Sequence, residues 1–328
     1  MRAVQIVNLE GPDRALQLVD APDPEPSHML TPGSGVVVDV RAAGVSFPEV
    51  LQTRGEYQVK PPLPFVPGSE VAGIVRSAPD GASVREGDRV AAFCMLGGFA
   101  EVAVAPEVMT FALSDELDFA QGAALLLNYH TAYFSLKLRG RLAEGETVLV
   151  HGAAGGVGTA SIQVARGLGA RTIAVVSSDE KERVAREAGA DEVVRSDGPW
   201  KDQAKELTGG AGVDVVLDPV GGDRFTDSLR SLAEGGRAVV VGFTAGSIPE
   251  VRVNRLLLNN VEVVGAGWGA YVMGKQDVCR EIGAALDELI AGGFVRPPVG
   301  ARFPLERTAD ALELIDGRGA TGKVVLEL

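Results

Sequence analysis

A glycine-rich stretch near the middle of the chain constrains the fold more than any other feature. The apolar run 148–150 predicts a buried strand, and four glycines crowd the turn at 152–158. After the turn, apolar residues recur at helical spacing over 160–168. A strand, a tight turn and a helix in this order predict a site for a dinucleotide pyrophosphate, because backbone N–H groups and the helix N-terminus can then approach the phosphates.

The context of this turn strengthens the prediction. Its spacing departs from G-x-G-x-x-G, since alanine occupies the first glycine position, and an isolated cluster of this kind is also compatible with an ordinary tight turn. Short valine-rich runs alternate with helical segments from 147 to 264, which predicts a doubly wound, parallel Rossmann sheet. The residues expected to hold the pyrophosphate are Ala153, Gly155, Gly156, Val157 and Gly158. The strands expected after the turn are 172–176, 192–194, 213–217, 238–241 and 261–264.

The remainder of the chain predicts a second, β-rich domain. With 328 residues the chain is long enough for two domains. Short runs separated by glycine, proline and aspartate predict a twisted, partly open barrel; these strands are 3–7, 35–42, 71–75, 89–92 and 100–104. An apolar helical region at 119–137 leads into the nucleotide fold. The last segments, a helix at 276–291, a strand near Arg302, a helix at 306–316 and a strand at 323–328, are expected to return to the first domain and cover its sheet edges.

The fold class predicted is therefore α/β, with a barrel domain at 1–120 and 266–328 and a Rossmann domain at 121–265. Composition narrows the function. The net charge of −13 opposes a surface that neutralises nucleic-acid phosphates. No apolar run approaches the roughly 20 residues of a membrane span, and Cys94 and Cys279 provide neither a disulfide framework nor a metal cluster. These features predict a cytoplasmic protein without a membrane or nucleic-acid partner.

Five motifs in family order resemble the medium-chain dehydrogenase/reductase superfamily, and within it the zinc-free, zeta-crystallin-like NADPH:quinone oxidoreductases. The motifs are 42–46, 67–73, 87–90, 152–158 and 320–325, so the resemblance covers nearly the whole chain. It implies a GroES-like barrel as the catalytic domain beside the Rossmann domain. It also implies a homodimer paired through nucleotide-domain edges around 261–264.

The resemblance also bears on metal content. A zinc-dependent alcohol dehydrogenase of this superfamily would carry a cysteine near Ser46 and a histidine after Gly68, where this chain has Ser46 and Ser69. The cysteine cluster of a structural zinc is missing, and the three histidines are better explained as core or surface residues. We therefore expect no metal. Without a Lewis acid, hydride transfer to an electron-poor quinone or conjugated carbonyl is easier than oxidation of an alcohol.

Cofactor preference is predicted at the end of the second Rossmann strand. An NAD enzyme would carry an acidic residue there, whereas this chain has two serines, which leave room for a 2′-phosphate. Lys181 can supply a countercharge, and Arg195 is expected to compensate for Ser196, which replaces a tyrosine found in many relatives. The alternative is that both cations are ordinary solvated charges and that Asp179 binds the ribose of NADH. The residues expected at the 2′-phosphate of NADPH are Ser177, Ser178, Lys181, Arg195 and Ser196.

The resemblance further implies residues around the nicotinamide and the substrate. Those near the nicotinamide are Thr131, Gly242, Phe243, Thr244, Trp268 and Lys323. For Phe243 and Trp268, packing in the core or at a dimer contact is the alternative. The expected catalytic residues are Ser46, Tyr57 and Thr131, with Ser46 at the position where relatives usually carry asparagine. Tyr57 either donates to a substrate oxygen or packs over the cleft.

The activity expected is NADPH-dependent, zinc-independent hydride transfer to a quinone. The rival is an enoyl reductase acting on an α,β-unsaturated ketone or thioester. A protein of another class, an NADPH-binding structural or RNA-binding crystallin, is the third alternative, and the negative net charge opposes its RNA-binding form.

Overall fold

The computed structural model describes the backbone of residues 1–328 and every side chain except that of Gln276. The chain forms two compact units: residues 1–127, 275–280 and 297–328, and residues 128–274 and 281–296. The expected division placed all of 266–328 in the first domain. Residues 266–274 and 281–296 belong instead to the nucleotide unit, since Leu289 packs on Gly167 and Gln163 binds the backbone of Arg296.

The secondary structure follows the predicted alternation closely. In the described backbone, strands β1 to β15 are Arg2–Ile6, Leu16–Asp20, Val36–Val45, Glu70–Ser77, Arg89–Phe93, Val102–Ala105, Thr110–Ala112, Thr147–Val150, Arg171–Val176, Glu192–Arg195, Val213–Asp218, Leu232–Val240, Glu262–Gly265, Val299–Pro304 and Lys323–Glu327. Helices α1 to α11 are Phe47–Gln52, Phe119–Gly122, Thr131–Tyr133, Gly156–Gly167, Asp179–Glu187, Trp200–Leu207, Phe225–Ser231, Asn254–Asn259, Trp268–Val272, Gln276–Ala291 and Thr308–Asp316.

The first unit is organised around the long central strand β3. The sheet runs in the order β14-β15-β3-β4-β5-β7, and β6 also pairs with β3. Valine and alanine side chains of these strands form the core of the unit. The C-terminal strand β15 lies antiparallel to β3 with Val324 opposite Val45. This register places Lys323, at the start of β15, opposite Ser46, just beyond the end of β3.

The second unit contains the predicted parallel sheet. Its order is β10-β9-β8-β11-β12-β13, and every neighbouring pair is parallel. The residues 148–150 of β8 are fully buried, because helices cover both faces of such a sheet. The order in which successive strands are added to the sheet reverses between β8 and β11. A crevice outside the carboxyl ends of the strands at such a point is where sheets of this kind bind ligands. The predicted α/β class is confirmed.

The region 119–137 is helical, as predicted, but it is not a single regular helix: α2 ends at Gly122, and π-helical turns at Leu126–His130 and Phe134–Arg139 flank α3. Apolar residues on all sides of this stretch hide the widened turns from a periodicity argument. Strands β2 and β7 were missed, because the exposed β2 lacks the alternation of a half-buried strand. Among the described residues, the structure contains no helix with both the length and the apolar character needed to traverse a bilayer.

Candidate functional site

The glycine turn lies at the carboxyl end of β8. Gly152 adopts a φ of +59°, a left-handed conformation that favours glycine. Gly155 donates its N–H to the Gly152 oxygen at 3.0 Å and immediately precedes α4. A Cβ on Gly158 would lie 2.2 Å from the same oxygen, so only glycine fits there. The first turn of α4 therefore begins with unpaired N–H groups at the crevice, the arrangement that binds phosphate.

The predicted pyrophosphate residues have different roles in this turn. Ala153 is fully buried, and the left-handed conformation of the turn is adopted by Gly152, the residue before it. Val157 is half-buried in the first turn of α4. The loop backbone from 152 to 158, rather than any side chain in it, is what can approach an anion.

Asn128 is a residue at this site that the sequence did not reveal. Its amide lies against the start of α4: a Cβ on Gly156 would be 2.5 Å from the Asn128 Nδ2. Asn128 is only 5% exposed, and its side chain makes no hydrogen bond with the residues that the structure describes. A buried amide with unused donors and acceptors can bind a polar ligand group at the helix N-terminus. Its one signal in the sequence was a polar residue within the apolar stretch 119–137.

A second polar group lies at the ends of β9 and β10. Ser178 precedes α5 and accepts a hydrogen bond from the Lys181 N–H at 3.3 Å. The Ser196 N–H donates to the Val176 oxygen at 2.8 Å, which fixes the two strand ends side by side. The structure thus brings together the whole predicted 2′-phosphate set, Ser177, Ser178, Lys181, Arg195 and Ser196.

The guanidinium of Arg195 is already paired with a carboxylate in this structure. Arg195 Nη1 lies 2.6 Å from an oxygen of Asp179, whose carboxylate is fully exposed. The two residues were singled out separately in the sequence, but their pairing was not foreseen. A 2′-phosphate would compete with this exposed carboxylate for Arg195, and exposed pairs of this kind are weak.

The predicted nicotinamide residues fall into two classes. The backbone of Gly242, Phe243 and Thr244 leaves the end of β12, where the Thr244 N–H donates to the Pro219 oxygen at 3.2 Å and Phe243 remains 37% exposed. Thr131 begins α3 and is 8% exposed. Trp268 is buried at 3% exposure with its ring edge-on to His130, as the core alternative predicts.

Lys323 belongs to a buried polar cluster of the first unit. The Lys323 ammonium donates to the Ser46 Oγ at 2.5 Å and to the Glu70 carboxylate. Glu70 also accepts the Leu127 N–H at 2.8 Å. Lys323 and Glu70 are 3% and 1% exposed, so the ammonium is enclosed by its partners. This placement results from the register of β15 on β3, and a contact between Lys323 and the cofactor stays a prediction.

Glu49 completes this group, which we call the Lys323 cluster: Ser46, Glu49, Ser69, Glu70 and Lys323. The Glu49 carboxylate accepts the Ser46 N–H at 2.9 Å and the Ser69 hydroxyl. Burial raises the pKa of Glu49, although the Ser69 hydrogen bond and the Lys323 charge oppose the shift. The cluster therefore contains two buried carboxyl groups and one buried cation.

Tyr57 lies close enough to this cluster to sense its charge. The residue is half-buried, and burial first and then the negative charge of Glu49 raise the pKa of its phenol. The phenol is therefore protonated at neutral pH and can act as a hydrogen-bond donor. Ser46 and Tyr57 belong to the first unit, and Thr131 to the second.

Comparison with known proteins agrees with both folds. Residues 32–115 match the family model described as alcohol dehydrogenase GroES-like domain, and residues 156–286 match the one described as zinc-binding dehydrogenase. Quinone oxidoreductase-like protein 2 of Rattus norvegicus is 41% identical over 89% of this chain and 85% of its own length. A solved structure of a probable oxidoreductase from Mycobacterium abscessus is 44% identical, with a TM-score of 0.89 over 100% of this chain and 99% of the other.

A further solved structure carries a printed activity and cofactor. The quinone oxidoreductase of Thermus thermophilus, described together with its complex with NADPH, is 35% identical over the full length of both chains, with a TM-score of 0.82. Identity of this extent over the whole length exceeds what a shared fold alone requires. The family predicted from the five motifs is thus confirmed, and the chain belongs to the quinone oxidoreductase family of the medium-chain dehydrogenase/reductase superfamily.

Proposed function

We propose that this oxidoreductase uses NADPH to reduce a quinone and needs no zinc. The observation that carries the proposal is the combination of the glycine turn with a second-strand end that bears Ser177 and Ser178 instead of an acidic residue. The NADPH complex of the Thermus relative supports the choice of cofactor. A quinone is proposed as the acceptor because the Rattus relative is described as quinone oxidoreductase-like and the Thermus relative as a quinone oxidoreductase.

Zinc independence is proposed from the chemistry of the Lys323 cluster. Its side chains offer two alcohols and two carboxyl groups, and a buried ammonium already binds Ser46 and Glu70. Cys94 lies nearby with its thiol directed at the Gly68 oxygen, and burial raises the pKa of that thiol, which disfavours the thiolate that zinc binds. No group of three suitable side chains for a metal occurs among the residues described. These residues do not fit a zinc site.

The proposed mechanism uses binding and charge stabilisation. When bound, NADPH supplies a hydride from its nicotinamide ring. The glycine turn and Asn128 hold the dinucleotide, and the backbone at Gly242 orients its nicotinamide end. Ser46 and Tyr57 donate hydrogen bonds to an oxygen of the acceptor, and negative charge develops on that oxygen when the hydride adds elsewhere in the conjugated system. Thr131 retains its predicted role beside the nicotinamide.

The test follows the absorbance of NADPH with purified protein and three acceptors in parallel: an ortho-quinone, an enone and an enoyl thioester. Rapid consumption with the quinone is the expected result. Consumption with only the enone or the thioester would refute the quinone assignment and identify an enoyl reductase. Binding of NADPH without any consumption would refute the catalytic proposal and favour a crystallin-like role.

Removal of metal ions is expected to leave the reaction intact. After dialysis against a strong chelator, the rate of NADPH oxidation should stay within about twofold of the untreated value, because no step depends on a Lewis acid. The zinc content measured by atomic emission should be less than about one zinc ion per ten chains. Loss of activity that added zinc restores would overturn the proposal.

Arg195→Ala is expected to weaken NADPH binding about tenfold and to leave NADH binding unchanged, because only NADPH carries the 2′-phosphate. Asp179→Asn should strengthen NADPH binding a few-fold, since it removes the carboxylate that pairs with Arg195. The dissociation constants are measured by fluorescence titration. Arg183→Ala, on the exposed face of α5, is the matched control. Equal losses for NADPH and NADH in Arg195→Ala would contradict the assignment.

We also propose a homodimer, as the resemblance implied. Strand β13 is an edge of the parallel sheet. The chain between β12 and β13 exposes four large apolar side chains to about three quarters of their area, which is typical of an interaction surface: Ile248, Val253, Leu257 and Leu258.

Leu257→Asp combined with Leu258→Asp is expected to produce a monomer, because two carboxylates at an apolar interface oppose association. Sedimentation at micromolar concentration measures the state, and Leu138→Asp, at another exposed leucine, is the control. A monomeric wild type would rule out the dimer.

A cytoplasmic location is also proposed, since the free thiols of Cys94 and Cys279 suit a reducing compartment.

A further inference from the structure

We propose that Lys323 is a positioning residue of the reaction: it acts through Ser46, fixing the Ser46 hydroxyl as a hydrogen-bond donor to the acceptor oxygen. The inference rests on the proposed function and adds to it a residue that would otherwise be assigned to the cofactor. Lys323 itself touches neither the acceptor nor NADPH. It determines the direction in which the Ser46 hydroxyl donates its hydrogen bond.

The hydrogen bond between Lys323 and Ser46 can run in only one direction. The Lys323 ammonium has only donors, so the 2.5 Å contact with Ser46 occupies the oxygen of the serine and leaves its proton unused. No acceptor for that proton lies among the residues that the structure describes. Ser46 is half-buried, whereas Lys323 is enclosed at 3% exposure. A ligand oxygen can therefore reach the hydroxyl of Ser46 but not the ammonium behind it.

The ammonium itself is held in a fixed position. Its second donor goes to Glu70, whose other oxygen is bound by the Leu127 N–H at 2.8 Å. The Glu70 side chain lies against Gly44, where a Cβ would come within 2.7 Å of the Glu70 Cγ and within 2.2 Å of the Ala123 oxygen. The Lys323–Glu70 pair, which joins β15 to β4, is therefore packed against β3 and has little room to move.

Ser46 is oriented from its other side as well. Its backbone N–H donates to Glu49 at 2.9 Å, and Glu49 is fully buried and bound by the Ser69 hydroxyl. The backbone N–H of Ser46 is therefore fixed by the buried Glu49 carboxyl group and its side chain by the buried Lys323 ammonium. Donors fixed before the reaction are effective in stabilising an oxyanion because they need no reorganisation as charge develops.

The adjacent positive charge strengthens this donor. A hydroxyl whose oxygen accepts a bond from an ammonium is polarised towards donation, and such cooperative bonds are stronger where water is excluded. The charge on the acceptor oxygen appears only as hydride arrives, so the interaction should act on kcat more than on KM or on NADPH affinity. A cofactor-binding lysine would give the opposite division.

The variant must avoid leaving Glu70 buried and unpaired, because that alone can unfold the unit. We therefore compare Lys323→Met/Glu70→Gln with Glu70→Gln, each with Ser46 and with Ser46→Ala, and use Lys137→Met, an exposed lysine, as the control. In the Ser46 background, removal of Lys323 should lower kcat for the quinone about 10- to 100-fold, with the NADPH dissociation constant within about twofold. Lys323→Arg keeps the positive charge, so its kcat should be higher than that of the variant in which methionine replaces Lys323.

The Ser46→Ala background supplies the discriminating result. There, removal of Lys323 should have almost no further effect on kcat, since its action passes through the missing hydroxyl. An equal loss in both backgrounds, or a raised NADPH dissociation constant with kcat retained, would overturn the inference while leaving the proposed function in place. A wild type that consumes no NADPH with any acceptor would refute the proposed function and, with it, the inference.

Discussion

Gly158→Ala is expected to raise the dissociation constant of NADPH at least 100-fold, which corresponds to about 2.7 kcal/mol of binding free energy. The added Cβ would lie 2.2 Å from the Gly152 oxygen and 2.7 Å from the Ala153 Cα. Both neighbours are backbone atoms, so no side-chain rotation relieves the clash and the turn itself must move. That movement displaces the N–H groups that face the pyrophosphate.

Two other glycine-to-alanine variants make this result specific. On Gly155 a Cβ meets only the Gly152 oxygen at 3.4 Å, an ordinary contact, so Gly155→Ala should keep the thermal stability of the ligand-free protein. Gly274 lies in an exposed turn with open space around it, and Gly274→Ala should change neither stability nor affinity. Fluorescence titration and thermal melting measure both quantities. An unchanged NADPH affinity in Gly158→Ala would contradict the assigned role of the turn.

The sequence predicted the Rossmann unit well because the signals of that unit are local. A fully buried parallel strand such as 148–150 is a short apolar run whatever its neighbours are, and the glycines of the turn follow it directly. The helix Gln276–Ala291 was predicted with its observed bounds for the same reason, since its apolar spacing is internal to it. Signals of this kind need no knowledge of pairing.

The Lys323 cluster was missed as a cluster because it depends on pairing over a long distance in the chain. Ser46 and Lys323 are separated by 277 residues and meet only through the register of β15 on β3. A shift of one residue in that register would turn Lys323 to the other face of the sheet. Asn128 was missed for a related reason, since only the folded π-helical turn brings its amide to Gly156.

The second large effect concerns the stability of the nucleotide unit at low pH. Burial lowers the pKa of His130 to about 3 and that of His151 to about 4, because the charged imidazolium is poorly solvated there. In the unfolded chain both titrate near the ordinary value of about 6.5. Between these limits the unfolded state binds protons that the folded state does not, so the free energy of unfolding falls as the pH falls. From pH 7 to pH 4 the loss for both together is about 6 kcal/mol.

A loss of that size is comparable with the whole stability of an ordinary domain, about 5–15 kcal/mol. Both tryptophans of the chain report on this unit, because the His151 ring lies edge-on to Trp200 at 5.0 Å and His130 edge-on to Trp268 at 5.5 Å. Denaturant midpoints followed by tryptophan fluorescence should therefore fall steeply between pH 6.5 and pH 4.5. His130→Gln, which keeps a neutral polar side chain, should flatten that dependence. If the variant keeps the slope of the wild type, the exposed carboxylates rather than the buried histidines control acid stability. A wild-type midpoint that does not change with pH would refute the prediction itself.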